Sequence, residues 1–251
     1  MTLFTLLGPI RAWRDGRELP IGSPQQRTVL AVLLLREGRL VTVDELVAAL
    51  WDGEPPVNAL AVVRTYISRL RRVLGGDADI RTYGRAYLLD TPAESVDVRQ
   101  FRHLTERAGQ AGARGEHEAA FRDLRAAAAL YHGSPLAGAV GHFAEGQRHR
   151  LAELVLAAQL DLQTAGLGLG RHRQALPDLI GLAAEYPLTE RVQELLLRAL
   201  CQAGRQPEAL IRYHELRRRL AGALGIDPGP GLQSLYLEML VNDRPVALAR
   251  S

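Results

Sequence analysis

At the start of the chain, short β-prone runs at 3–7, 10–13 and 18–21 alternate with the turn signals Gly8-Pro9 and Asp15-Gly16 and predict a small antiparallel sheet. The period then becomes that of a helix. Ser23 is a hydroxyl N-cap, Pro24 suits the first helical position, Gln26 completes a capping box, and the apolar run 29–35 ends at Gly38. Thr42 and Glu45 repeat the box before a second helix that turns Leu46, Val47, Leu50 and Trp51 inward. The stretch Asp52-Gly53-Glu54-Pro55-Pro56 cannot continue a helix and is read as a loop. Asn58 caps a third helix, 58–74, which stops at Gly75-Gly76; the runs 80–83 and 86–89 about Gly84-Arg85 read as a hairpin. Sheet, helices and hairpin in this order make a winged helix-turn-helix with an added N-terminal sheet.

The third helix has the polar pattern richest in chemistry. At about 100° per residue, Leu60, Val63, Ile67, Leu70 and Leu74 share one stripe. Ala61, Thr65, Ser68, Arg69 and Arg72 lie opposite, Arg64 and Arg71 flank them, and no acidic residue interrupts the run. A helix that docks by one face and offers small polar and arginine side chains on the other suits the DNA major groove. The hairpin would then be a wing against the neighbouring backbone. Taken by itself, the helix reads equally as an ordinary amphipathic helix with a solvated basic face. The helices before it and the hairpin after it favour DNA.

A short Pro-containing linker at 91–95 separates this part, residues 1–92, from a second domain, 97–245, dominated by Ala, Leu, Arg and Glu. Its amphipathic segments, 98–111, 116–131, 143–166, 173–185, 189–202, 207–224 and 231–241, break at Gly or Pro. Gly170, Arg171, Ala175 and Leu176 recur as Gly204, Arg205, Ala209 and Leu210 at a spacing of 34 residues, the tetratricopeptide period. The expected fold class is mainly α: an N-terminal winged helix-turn-helix with small β-sheets, then an all-α tetratricopeptide-like domain.

Composition narrows the function classes. The 47% hydrophobic content supports real cores, and no run approaches the roughly 18 apolar residues of a membrane span. The opening MTLFTLLGPIRAW lacks the basic and apolar regions of a signal peptide, and Cys201 is the single cysteine, so the chain reads as cytoplasmic. Net charge is a modest +3, but all 31 basic residues are arginine, a bias that GC-rich coding explains. Without lysine there is no Walker A lysine, Schiff-base lysine or lysine general base. Arginine instead binds phosphates and guanine edges bidentately.

Other features that resemble chemistry read as structure. His117, between Glu116 and Glu118, and His149 read as surface residues, and Cys201 as a small buried hydrophobe. The glycines of 166–170 read as a turn between helix pairs, and 227–230 as a helix stop and restart. With no nucleophile–base pair, metal set or phosphate loop, the chain is not read as an enzyme, and neither cofactor nor metal is implied.

The run YPLTERVQELLLRALCQAGRQPEALIRYHELRRRLAGALGIDPGPGLQSLYLEML resembles the C-terminal half of the bacterial transcriptional activator domain. LLGPIRAWRDGRELPIGSPQQRTVLAVLLL, the TYISRLRRVLG helix and the hairpin resemble its companion OmpR-type DNA-binding domain. Together they are similar to the SARP family (Streptomyces antibiotic regulatory proteins) over about residues 3–240. That resemblance implies an activator of antibiotic biosynthetic gene clusters that binds promoter direct repeats as a tandem homo-oligomer and recruits RNA polymerase holoenzyme. By the same resemblance, Arg64, Thr65, Ser68, Arg69, Arg71 and Arg72 enter the major groove, with Arg69 and Arg72 as candidate guanine readers. Arg81, Tyr83 and Arg85 lie at the wing, and the loop with Trp51, Asp52 and Glu54 meets polymerase. Three positions depart from the family: Ala86 replaces a frequent wing glycine, Gln25 a frequent arginine and Tyr131 a common tryptophan. Two alternatives stay open, a helical-repeat interaction or sensor module, or the N-terminal piece of a larger ATPase-containing regulator.

Overall fold

The computed structural model describes residues 1–76 and 78–242. Positions 243–245, placed in the second domain from sequence, lie outside the described residues, and no helix among those described is long and apolar enough to cross a membrane. Two compact units emerge: Met1–Arg114 with Arg122–Ala158, and Gly115–Phe121 with the chain from Gln159 onward. The linker at 91–95 falls inside the first.

In the first unit, β1 (Thr2–Thr5), β2 (Arg11–Arg14) and β3 (Arg17–Glu18) form an antiparallel sheet in that order. Asp15 and Gly16, both at positive φ (50° and 78°), link β2 to β3, the backbone of a type I′ hairpin, for which Asp-Gly is favoured. α1 (Pro24–Leu35) begins at Ser23, whose hydroxyl accepts from the Gln26 amide. Only this half of the expected box forms, because the Gln26 side chain is buried over Gly22. α2 (Val43–Leu50) has the complete Thr42/Glu45 box, and Arg36 adds an ion pair to Glu45 at 2.6 Å. The short strand β4 (Val41–Thr42), absent from the sequence reading, is long enough only to pair with Tyr87 and Ala86 of the hairpin.

α3 (Ala59–Leu74) packs with α1 and α2 around Leu30, Leu33, Leu46, Val63, Ile67 and Leu70, all buried. Two expectations for α3 are corrected. Leu60 is 41% exposed, and the buried stripe runs instead through Ala59, Val63, Tyr66, Ile67, Leu70 and Leu74. Leu60 is one residue on from Ala59 and is therefore rotated to the stripe's edge in the first turn. Nor does the Asn58 side chain cap the helix; a turn closed by the Ala59 amide on the Pro56 carbonyl (2.8 Å) leads into it.

β5 (Asp79–Tyr83) and β6 (Ala86–Asp90) form the predicted hairpin, and the sheet order is β4-β6-β5. Gly84 has φ +59° whereas Arg85 is not at positive φ, the pattern of a type II′ turn with glycine at its first central position. After a 3-10 turn, α4 (Asp97–Ala113) and α5 (His117–Ala128) follow. Tyr131 lies beyond α5 in an irregular stretch, where the His132 and Leu136 amides bond to the Leu7 and Leu6 carbonyls (2.8 and 2.9 Å) and the Ile10 amide to the Ala137 carbonyl (3.0 Å).

In the second unit, the end of α6 (His142–Gly168) is followed by α7 (His172–Glu185), α8 (Glu190–Gln202), α9 (Gln206–Leu224) and α10 (Pro230–Asn242), with α7 packed on α8, α8 on α9, and α10 on both α8 and α9. The 34-residue echo has a physical counterpart. Gly170 and Gly204 have φ +72° and +74°, each amide bonds three residues back at 3.0 Å, and the amides of Arg171 and Arg205 each bond five residues back at 2.8 Å. These are two copies of a Schellman stop. Ala175 and Ala209 are both buried. The turn expected over 166–170 is narrowed to 169–170, since α6 runs through Gly168. Gly166 is instead a close approach, where a Cβ would lie 3.2 Å from the Phe121 ring.

Candidate nucleic-acid interface

One face of α3 docks on the core, which leaves Arg64, Thr65, Ser68, Arg69, Arg71 and Arg72 exposed along the other. Arg64, Ser68, Arg69 and Arg72 have no hydrogen-bond or ion-pair partner among the described residues. With no carboxylate on α3, three of its guanidiniums are free to meet an anionic ligand. Thr65 differs. Its hydroxyl donates to the Ala61 carbonyl at 2.9 Å, so its donor is spent inside the helix.

Arg71, expected among the groove residues, points to the hairpin. Its Nε donates to the Ile80 carbonyl (2.7 Å), one terminal nitrogen donates to Thr82 Oγ1 (2.6 Å), and its guanidinium carbon lies 5.9 Å from the Tyr87 ring centroid. The same end of the helix is tied further by Arg14, which donates to the Gly75 carbonyl at 2.6 Å, and mid-helix the Tyr66 hydroxyl donates to Gln25 Oε1 at 2.6 Å. Gln25, the departure from a frequent arginine, is thus a fixing point for α3.

At the hairpin, Tyr83 is half exposed at the tip. Arg81 pairs with Asp79 (3.2 Å) and Asp90 (3.0 Å), and its pKa is raised above the ordinary arginine value, chiefly by the Asp79 hydrogen bond. Arg85 pairs with Asp44 at 3.1 Å. All these partners are exposed, so solvent and salt screen each pair and it contributes little to stability. Ala86, in place of the wing glycine, is buried and faces Tyr83 and Thr42 across the sheet.

The 51–54 loop lies beside α2. Trp51 is half-buried and Glu54 exposed, while Asp52 Oδ1 accepts the His142 amide at 3.1 Å and so caps the start of α6. Trp51 and Asp52 line an open cavity of about 670 Å³ with Asp44, Val47, Pro55 and His142. Sequence patterning could not show the Asp52 cap, whose partner lies 90 residues away. Among the described residues, no cluster of His, Cys, Asp and Glu could hold a metal ion.

A three-helix core with its third helix exposed along an acid-free face, a hairpin pinned to that helix, and a second unit of tetratricopeptide-like helices define a winged-helix transcriptional regulator. The family described as bacterial transcriptional activator domain matches residues 96–240, and that described as transcriptional regulatory protein, C terminal, matches residues 17–89. The chain belongs to the SARP family of bacterial transcriptional activators. It is 45% identical to the regulatory protein AfsR of Streptomyces coelicolor over 97% of its own length, but spans only 25% of that relative. It is 32% identical to the regulatory protein DnrI of Streptomyces peucetius, covering 95% of this chain and 92% of that one. A solved structure of Mycobacterium tuberculosis EmbR in complex with a low-affinity phosphopeptide has the same fold, with a TM-score of 0.89 and 33% identity over 96% of this chain and 65% of that one.

Proposed function

We propose that this regulator binds promoter direct repeats, with α3 in the major groove and the hairpin against the adjacent backbone, and thereby activates a secondary-metabolite gene cluster. The carrying observation is the acid-free face of α3, where Arg64, Arg69 and Arg72 have no ion-pair partner among the described residues. Arg69 and Arg72 read guanine edges, Ser68 adds a hydrogen bond, and Arg64, Arg81 and Arg85 anchor phosphates. Tyr83 at the hairpin tip lies along the backbone. One such module reads few base pairs, so copies of the chain sit head-to-tail on the repeats. The 51–54 loop, with Trp51 and Glu54 exposed to differing degrees and Asp52 holding it in place, faces RNA polymerase holoenzyme.

The test is binding to sites selected from a random duplex library, measured at several salt concentrations. A reader such as Arg69 or Arg72, changed to Ala, relaxes one base position at a cost of about 1–3 kcal/mol. Arg64→Ala weakens all sequences alike and flattens the salt dependence by about one unit of slope. Full binding by both Arg69→Ala and Arg72→Ala would overturn the assignment of this face. Absence of any salt-dependent binding would favour a helical-repeat interaction module.

A further inference from the structure

We propose that Arg71 does not contact DNA but is the positioning residue that locks the hairpin to α3, so that helix and wing approach a duplex as one rigid reader. This rests on the reading of α3 and the hairpin as the DNA-binding pair. Three contacts carry it. Nε holds the Ile80 carbonyl, a terminal nitrogen holds Thr82 Oγ1, and the guanidinium lies by the Tyr87 ring. Thr82 and Tyr87 are direct cross-strand partners in the β5–β6 ladder. One guanidinium therefore spans a rung of the hairpin and grips the strand edge two residues along. β5 lies at the edge of its sheet, so the contacts of α3 are what fix it from the open side. Arg64, Arg69 and Arg72 on the same helix make no such contacts among the described residues.

The chemistry requires arginine. Its planar fork presents several N–H donors in fixed directions, so it can serve a carbonyl and a hydroxyl together. A lysine ammonium is a point donor on a flexible stem and cannot span both acceptors while lying by the ring. Placing the Arg71 guanidinium on a phosphate would require both hydrogen bonds to break, whereas the neighbouring arginines have no hydrogen bond to give up among the described residues.

The experiment has a DNA-free arm and a DNA arm, using the full chain. In the free protein, hydrogen exchange of the β5–β6 amides is compared for wild type, Arg71→Ala, Arg71→Lys and Thr82→Val. Arg71→Ala and Arg71→Lys are expected to speed exchange by about tenfold, as loss of two hydrogen bonds predicts. Thr82→Val speeds it less, and the double variant Arg71→Ala/Thr82→Val is no faster than Arg71→Ala. On a selected duplex, Arg71→Ala keeps the protection from α3 but loses protection on the hairpin side, and Arg71→Lys does not restore it. Unchanged hairpin exchange in Arg71→Ala, or a salt slope lowered by about one unit and restored by lysine, would overturn the proposal and make Arg71 a phosphate anchor. If the wild-type protein binds no duplex, the functional reading fails while the exchange arm still decides whether Arg71 locks the hairpin.

Discussion

Both carboxylate oxygens of Asp97 lie within hydrogen-bond distance of the Leu6 amide, at 2.9 and 2.8 Å, though the two residues are 91 positions apart. The Leu7 and Val98 amides add bonds of 2.8 and 2.7 Å. The first residue of α4 thus ties down the chain as it leaves β1. Burial pushes the Asp97 pKa up to about 6, against the pull of the Leu7, Leu6 and Val98 amides and of His132. The folded state therefore holds this proton more tightly than the unfolded chain. Stability from this group is fully present below its ordinary value of 3.8 and is lost as pH rises through about 6. Melts of wild type and Asp97→Asn across pH 4 to 7 should show wild type losing on the order of 2 kcal/mol relative to the variant. At low pH the variant is the less stable by about 1–3 kcal/mol, because its amide nitrogen faces backbone donors. A pH-independent difference between the two proteins would contradict this.

On the proposed reading, with the hairpin against the DNA backbone, the carboxylates around Arg81 oppose binding. Asp79 and Asp90 hold its guanidinium and place negative charge on the hairpin flank. Asp90→Asn should tighten binding to a random-sequence duplex about threefold at low salt, with little change in melting temperature, because exposed pairs contribute little to stability. Weaker binding would mean that Asp90 aligns Arg81 for its contact.

Local features were legible in sequence and long-range ones were not. The Thr42/Glu45 box, the proline-started α1 and the glycine stops after α6 and α8 each depend on residues a few positions apart, and their residue types reveal them. Periodicity also showed which α3 residues face outward, apart from Leu60 in the first turn. It could not distinguish Arg71 from Arg72, because the difference lies in the Ile80 carbonyl and Thr82 hydroxyl across a chain reversal. β4 escaped for a similar reason: its two residues carry no period and exist as a strand only by pairing with β6.

Thr65 yields a prediction about base choice. Its hydroxyl proton is committed to the Ala61 carbonyl, so the hydroxyl cannot donate to a base, and its methyl group suits the thymine 5-methyl. Thr65→Val should therefore keep the preference for thymine, whereas Thr65→Ser should lose it. Binding to a selected site with one thymine replaced by uracil measures this directly. For wild type the replacement should cost about 1 kcal/mol, the scale of a buried methyl group, and for Thr65→Ser it should cost nothing. Equal losses for valine and serine would show that the hydroxyl is used.

The paired helix stops predict stability changes of opposite sign at glycines in the second unit. Gly170 and Gly204 have open space where a Cβ would go, but φ of +72° and +74°. Alanine at either position meets no neighbour, yet must adopt a left-handed backbone, so each substitution should cost about 1–2 kcal/mol. Gly181, inside α7, also has open space, but its φ is not in the left-handed range. There alanine removes unfolded-chain freedom and favours the helix, and Gly181→Ala should stabilise by about 0.5–1 kcal/mol. Urea melts of the full chain compare the three variants. Near-equal losses at Gly170 and Gly204 with a gain at Gly181 are expected, since the two stops share one backbone geometry. A loss at only one of the two stops would mean that the 34-residue echo is one of sequence alone.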